Sequence, residues 1–396
     1  MSGHELPSPV NRKFFTPGVL LLLVLAFIMA CVATYRFLFV GLAGATNLDQ
    51  EHPWGIWIAI DVATGVALAA GGFTTATLAH IFHREHYHAI ARPALLTAML
   101  GYTFVGIGLM FDLGRFYNIW HPIILWQGNS VLFEVGMCVV CYINVLYIEF
   151  LPIICERFQD DLRFPLLRRA ATFINSILGR IMFLFVIAGT VLSCLHQSSL
   201  GNLMVIAPSK FHDLWDTSIC SLLFLLSAFM VGFPMVIFES IYASWSLKLK
   251  PEMDILSPLS KYTVFFTGLY LAAKLSDMLI RGSYVYLMEG SVQSYAFIIE
   301  MVFGLIVPFC MLMYARVRNN SRLLFIAALL IVLGVVLNRV NVFLIGYQPP
   351  YAVKSYFPSI FEIAVTVGLI STLMLVYRLI VTYLPVISHP GTARTA

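Results

Sequence analysis

Apolar residues run for about twenty positions at a time along this chain, between short segments marked by charge, proline or glycine. Ten such runs follow one another, at about 17–41, 55–82, 93–113, 129–152, 172–195, 217–245, 259–281, 293–315, 322–346 and 359–384. A helix rising ~1.5 Å per residue needs about twenty apolar residues to cross a hydrocarbon layer of ~30 Å. The pattern predicts an all-α integral membrane protein with ten transmembrane helices. The first run follows Arg12 and Lys13 as a signal peptide would, but it is long enough to span and no small-residue cleavage site follows it, so it is read as a retained helix.

Composition agrees: 60% of the 396 residues are hydrophobic and 11% are charged, against about 25% charged in a soluble globule. The formal charge of +4 gives no reason to expect nucleic acid as a partner; what matters is where Lys and Arg fall. The segments that share a side with the N-terminus hold sixteen of them, including Arg12, Lys13, Arg92, Arg163 and Arg394. The opposite loops hold four: Arg115, Lys210, Arg281 and Lys354. The positive-inside rule then places both termini in the cytoplasm. The seven cysteines are scattered through apolar runs and suggest neither a disulfide framework nor a zinc site.

Against this background the ionisable residues inside the runs stand out, because each costs roughly 2.5–3.5 kcal/mol to insert at a helix centre. The stretch PWGIWIAIDVATGVALAAGG, 53–72, carries Asp61 in its outer third. The third run ends in Asp112 and Arg115, expected on one helix face. Glu134 lies about one turn into the fourth run and Glu149 near its inner end, while His196 and Gln197 are expected to close the fifth. Asp61, Asp112, Arg115, Glu134 and His196 are thus expected at a similar level, as a site requires. A carboxyl in hydrocarbon can hold and release a proton near neutral pH, which suits Asp61 and Glu134 to proton transfer. In the second half, Lys274, Asp277 and Arg281 share a face, and Glu300, Arg339 and Glu362 lie on the outer side, with Glu239 towards the inner side. Opposite charges on packed helices commonly pair structurally, so this group is read as structural or proton-conducting.

Histidine placement argues against haem, since His80 and His196 fall at opposite faces and the other eight histidines lie in tails or loops. The HREHYH cluster, 83–88, reads as a solvated basic loop. Cys138 and Cys141, and the small-residue patterns GLAG, GYTFVGIG and AAGG, read as packing. The outer loops are rich in Trp, Tyr, Pro and amides, as interface anchors would be.

The segments PWGIWIAIDVATGVALAAGG, ARPALLTAMLGY, DLGRFYNIW, NSVLFEV, HQSSLGNLM and VIFES occur in this order. Together they resemble the polysulfide reductase NrfD superfamily, in its hydrogenase-2 membrane-subunit (HybB) and HmcC-like branch. The resemblance implies a haem-free, iron–sulfur-free anchor that binds menaquinone or ubiquinone near the outer face of a bacterial inner membrane. It implies a periplasmic-side iron–sulfur subunit as partner and, through it, a hydrogenase, molybdoenzyme or multihaem cytochrome. It also implies two four-helix bundles within one membrane domain, 55–195 and 217–346, with 17–41 and 359–384 as peripheral helices. Carried onto this sequence, the quinone site would involve Trp57, Asp61, Asp112, Arg115, His196, Gln197 and Ser198. Asp61, Glu134 and His196 would exchange protons with the quinone, and Asp61, Glu134 and Glu149 would relay them. The competing class is a secondary transporter or proton channel built on the same carboxylates.

Overall fold

The computed structural model describes residues 7–10, 13–159, 165–207 and 209–388; Arg12, Arg163 and Arg394 of the charge count lie outside them. Among the described residues ten helices are long and apolar enough to cross a membrane: α1 Pro17–Ala45, α2 Trp57–Ile81, α3 His88–Asp112, α4 Val131–Gln159, α5 Pro165–Val205, α6 Cys220–Leu247, α7 Met253–Arg281, α8 Val292–Met313, α9 Ser321–Ile345 and α10 Ile360–Tyr383. The chain is a multi-pass all-α membrane protein. Among the described residues the only β feature is an isolated antiparallel bridge between Phe211 and Tyr347.

The helix ends define two faces. On the terminal face, Val10 N–H donates to the Val381 carbonyl and Arg378 to that of Lys13, while Arg92 forms a bidentate pair with Glu156. On the opposite, distal face, Asn47 reaches Phe357, and His212 N–H donates to Gly346. Loops distant in sequence are thus cross-tied at each end.

Helix α2 is the hub: it is largely buried and packs on α3, α5, α6, α9 and α10. Small residues make this possible. A Cβ on Gly72 would collide with that of Ala98 in α3, and one on Gly232 of α6 would lie 2.6 Å from Thr74 Oγ1. Helix α1 is mostly exposed and pairs with α10, where Gly368 admits Met29.

Five segments widen into π-helical turns: 36–40, 57–64, 77–81, 300–306 and 341–345. Such turns break the regular i to i−4 ladder and often mark functional positions. Four of the five hold a buried polar side chain: Arg36, Asp61, Glu300 and Asn341. In α2 the Thr64 hydroxyl caps the widened turn by donating to the Ala59 carbonyl at 2.8 Å.

Candidate functional site

At the distal end of α1, α2, α3 and α10, three carboxyl groups lie in electrostatic range of one another, with an arginine beside one of them. Arg36, 2% exposed, donates from Nε to the Phe111 carbonyl at 3.0 Å and from Nη2 to that of Leu113 at 2.7 Å, with its guanidinium 4.4 Å over the Phe37 ring. These bonds hold it at the C-terminus of α3, where free carbonyls favour a cation, within electrostatic range of Asp112. Asp112 Oδ1 is buried without a hydrogen-bond partner. Asp61 lies against Gly108, one turn below Asp112 on the same face of α3, and its Oδ2 accepts from the Thr366 hydroxyl of α10 at 2.8 Å.

Glu362 completes the group. Its side chain accepts from the Tyr356 hydroxyl at 2.5 Å, from Asn47 N–H at 3.0 Å and from Ser359 N–H at 2.8 Å, the last as half of a capping box that starts α10. Its backbone carbonyl accepts from Trp57 Nε1 at 3.1 Å. Tyr356, in the loop before α10, is held protonated well above its usual range by burial, reinforced by its bond to Glu362. If Asp61, Asp112 and Glu362 were all ionised, Arg36 would neutralise only one of them. Unpaired charge in hydrocarbon is costly, and here the Thr366 hydroxyl bonds Asp61 while Tyr356 and two backbone N–H groups bond Glu362.

A second assembly belongs to α2, α3, α4 and α5, and it sits deeper. His196 is fully buried, with Nδ1 3.1 Å from the Tyr102 hydroxyl and Nε2 without a partner. The Tyr102 and Tyr142 rings meet edge to face at 4.5 Å. Gln197 donates to the Val66 carbonyl at 2.8 Å. Glu149 lies against Gly189, where a Cβ would be 2.7 Å from Oε1. Towards the distal face, Ser199 donates to Glu134 Oε1 at 2.5 Å.

Several expectations change. His196 does not close the fifth helix, because α5 continues nine residues further to Val205; the polar string HQSSLGN is helical. Gly108, facing Asp61, and Tyr102, facing His196, are six residues apart on α3, so the two groups differ in depth by about 9 Å. Arg115 does not share a face with Asp112, because the helix ends at Asp112 and Leu113 turns extended; Arg115 is exposed and forms no ion pair among the described residues. Glu134 is exposed on the free chain rather than buried. Ser198 makes no side-chain hydrogen bond among the described residues, whereas Ser199 does.

The second-half charges form two units. Lys274 pairs with Glu300, which also accepts from Asn338 at 2.9 Å and Asn341 at 2.7 Å; Asn338 in turn accepts from Arg339 at 2.6 Å. Arg339 donates also to Ser227 at 2.7 Å and stacks 3.7 Å over Phe224. Asp277 accepts from Thr217 at 2.7 Å and from Arg281 Nε at 2.9 Å. Lys274 and Asp277 therefore serve different partners despite their shared face. Among the described residues the metal-sized cluster is Asp49, Glu51 and His52, but Asp49 Oδ1 already accepts from the backbone of both neighbours.

Residues 44–350 match the family described as Polysulphide reductase, NrfD. The chain belongs to that family. It is 36% identical over 393 residues to a protein of Nitratidesulfovibrio vulgaris, covering 96% of this chain and 97% of that one. The probable Ni/Fe-hydrogenase 2 b-type cytochrome subunit of Escherichia coli is 31% identical over 97% of this chain and 96% of its own. The integral membrane subunit of menaquinone reductase from N. vulgaris is 28% identical over 89% of this chain and 88% of its own. Within this NrfD-family chain, sequence reasoning missed Arg36, Thr366, Tyr356, Tyr102 and Ser199. Arg36 alone left a signal, as a lone cation near the end of an apolar run; the others look like ordinary polar residues of helices or loops.

Proposed function

We propose that this chain is the quinone-reactive membrane subunit of a respiratory oxidoreductase in a bacterial inner membrane. Both termini lie in the cytoplasm and the distal face meets a periplasmic-side iron–sulfur subunit. Two electrons arriving from that subunit, and two protons, convert a menaquinone or ubiquinone to its quinol. The hydrogenase and menaquinone reductase subunits among the relatives favour this reading over a transporter. The observation that carries it is the gathering of Asp61, Asp112 and Glu362 at the distal ends of four helices, with Arg36 beside Asp112, a store of protons beside the expected electron entry.

In this reading Asp61 or His196 hydrogen-bonds a quinone carbonyl. Trp57, Asp112 and Gln197 shape the surroundings, and Glu134 and Glu149 carry protons along α4. Helices α2 to α5 and α6 to α9 act as the two bundles. Of the second-half charges, Lys274, Glu300, Arg339, Asp277 and Arg281 hold α6 to α9 together. Asp61→Asn and Glu134→Gln variants should assemble into the complex but lose quinone reduction; turnover at the wild-type rate would overturn the proposal.

The name of the E. coli relative suggests haem b. The residues here do not fit a pair of axial ligands, which must face each other across a macrocycle. His196 has Nε2 free but lies deep in α5, whereas His52 sits in a distal loop bonded to Asp49, and the His80 and His88 rings are in contact with each other at 4.7 Å at the terminal face, so none of these faces His196 at its depth. We infer a haem-free subunit. A pyridine haemochrome spectrum of the purified chain with stoichiometric haem would refute this.

A further inference from the structure

At the terminal face, a cavity of about 40 Å³ opens between α3, α6 and α10. One ordered water needs roughly 10–15 Å³ on this measure, so the space admits more than one. Its walls run from the loop residues Leu249, Lys250 and Glu252 inward to Glu239 and Tyr377. Glu239 lies eight residues, about 12 Å along the axis, before the end of α6.

We propose that this cavity is a water-filled proton inlet from the terminal face, with Glu239 as its proton-binding group. Three features separate it from a packing gap. Glu239 Oε1 and the Tyr377 hydroxyl are buried against each other and Thr97 and interact, but without the geometry of a well-formed hydrogen bond, which leaves both with bonding capacity for water in the cavity. Pro93 lacks the N–H that would bond to the Ala89 carbonyl, and both residues line the cavity, which supplies a further acceptor. Ser240 and Ser244 add hydroxyl-bearing residues along the α6 wall.

The titratable side chains facing the cavity are Glu239 from α6, Tyr377 from α10, and Lys250 and Glu252 from the loop; the α3 wall of Ala89, Ile90, Pro93 and Ala94 contributes none. A proton from hydronium adds to the Glu239 carboxylate, giving the acid and releasing water. Tyr377 and Thr366, which holds Asp61, lie on one face of α10, eleven residues or about 16 Å apart, with Ile370 and Leu373 between them. The inlet thus ends about three turns of α10 below the level of Asp61. Its link to quinone chemistry rests on the reading above; its access to water does not.

The test is X-ray radiolytic hydroxyl-radical labelling of the intact complex, with water itself as the probe and peptide mass spectrometry as the readout. Tyr377 should be oxidised at least tenfold faster than the buried, close-packed Tyr142. Equal rates would overturn the inlet. In the same complex, Glu239→Gln should slow quinone-linked proton uptake at least tenfold, and Glu239→Asp should restore part of it. Fast labelling of Tyr377 with unchanged uptake in Glu239→Gln would overturn the role of Glu239. If the glutamine variant does not assemble, the labelling of the native complex still decides. Absence of quinone reduction in the native complex would count against the quinone reading and leave the labelling result intact.

Discussion

The Thr366 hydroxyl donates to Asp61 Oδ2 at 2.8 Å, joining α10 to the π-helical turn of α2 across 305 residues of sequence. A helix expected to be peripheral thus supplies the partner of the carboxyl around which the site is proposed. Thr366→Val keeps the shape and removes the donor, leaving a buried carboxyl unpaired at a cost of about 1–3 kcal/mol. The purified complex should unfold at a lower temperature and turn over quinone more slowly, and Thr366→Ser should recover both. Equal behaviour of the valine and serine variants would show that the bond is immaterial.

Arg36 bonds two backbone carbonyls at the end of α3 and is the cation near Asp112. Arg36→Met strands both carbonyls and the carboxyl, and breaking a buried charged contact from one side costs about 3–5 kcal/mol. Arg36→Lys should rescue poorly, because an ammonium lacks the planar fork that reaches Phe111 and Leu113 together. Thermal stability of the detergent-solubilised complex would rank native, lysine and methionine forms in that order.

Gly304 of α8 and Gly334 of α9 let their backbones touch: a Cβ on Gly304 would lie 2.6 Å from Gly334 Cα. Gly304→Ala must push the helices apart, lowering stability. Gly136→Ala in α4 meets nothing within 4 Å and should gain up to about 1 kcal/mol of helix propensity. Opposite signs in the two melting shifts are the expected result.

In the loop before α2, Asp49 accepts backbone N–H groups of His52 at 2.6 Å and Glu51 at 2.9 Å. The His52 N–H bond, chiefly, holds its carboxyl below the usual 3.8. A lowered folded-state value means that its stabilisation is present above about pH 4 and is lost as pH falls through the lower value. Amide hydrogen exchange at Glu51 and His52, corrected for intrinsic rates, should lose protection as acid is added. In Asp49→Asn that acid-dependent loss should disappear.

The ten helices were legible because each needs only a local apolar run, and the bilayer leaves few alternatives to a helix. What sequence could not supply was the pairing of distant residues. Thr366 reads as an unremarkable threonine until α10 is docked on α2. HQSSLGN has loop composition and so suggests that His196 closes the helix, yet α5 continues through it, with Gly201 admitting the start of α6: a Cβ there would lie 2.6 Å from Ser221 Cα. Helical spacing puts Arg115 on the Asp112 face, but that spacing lapses where Leu113 turns extended. The π-helical turns that carry Arg36, Asp61 and Glu300 have no sequence signature of their own.

Lys274 and Glu300 form a buried pair in which Glu300 also serves Asn338 and Asn341. Removing one member leaves the other charge uncompensated, so Lys274→Met and Glu300→Gln should each destabilise by about 3–5 kcal/mol. The double variant carries no net buried charge from this pair. It should therefore lose less than the sum of the single losses, with a coupling of about 1–3 kcal/mol. If the pair is structural, quinone turnover in the assembled double variant should stay within about twofold of the native rate, since a coupled stability change need not alter the chemistry at the distal face. A double variant that is stable yet inactive would instead make Glu300 part of the proton route, because only the loss of a titrating group would separate stability from turnover.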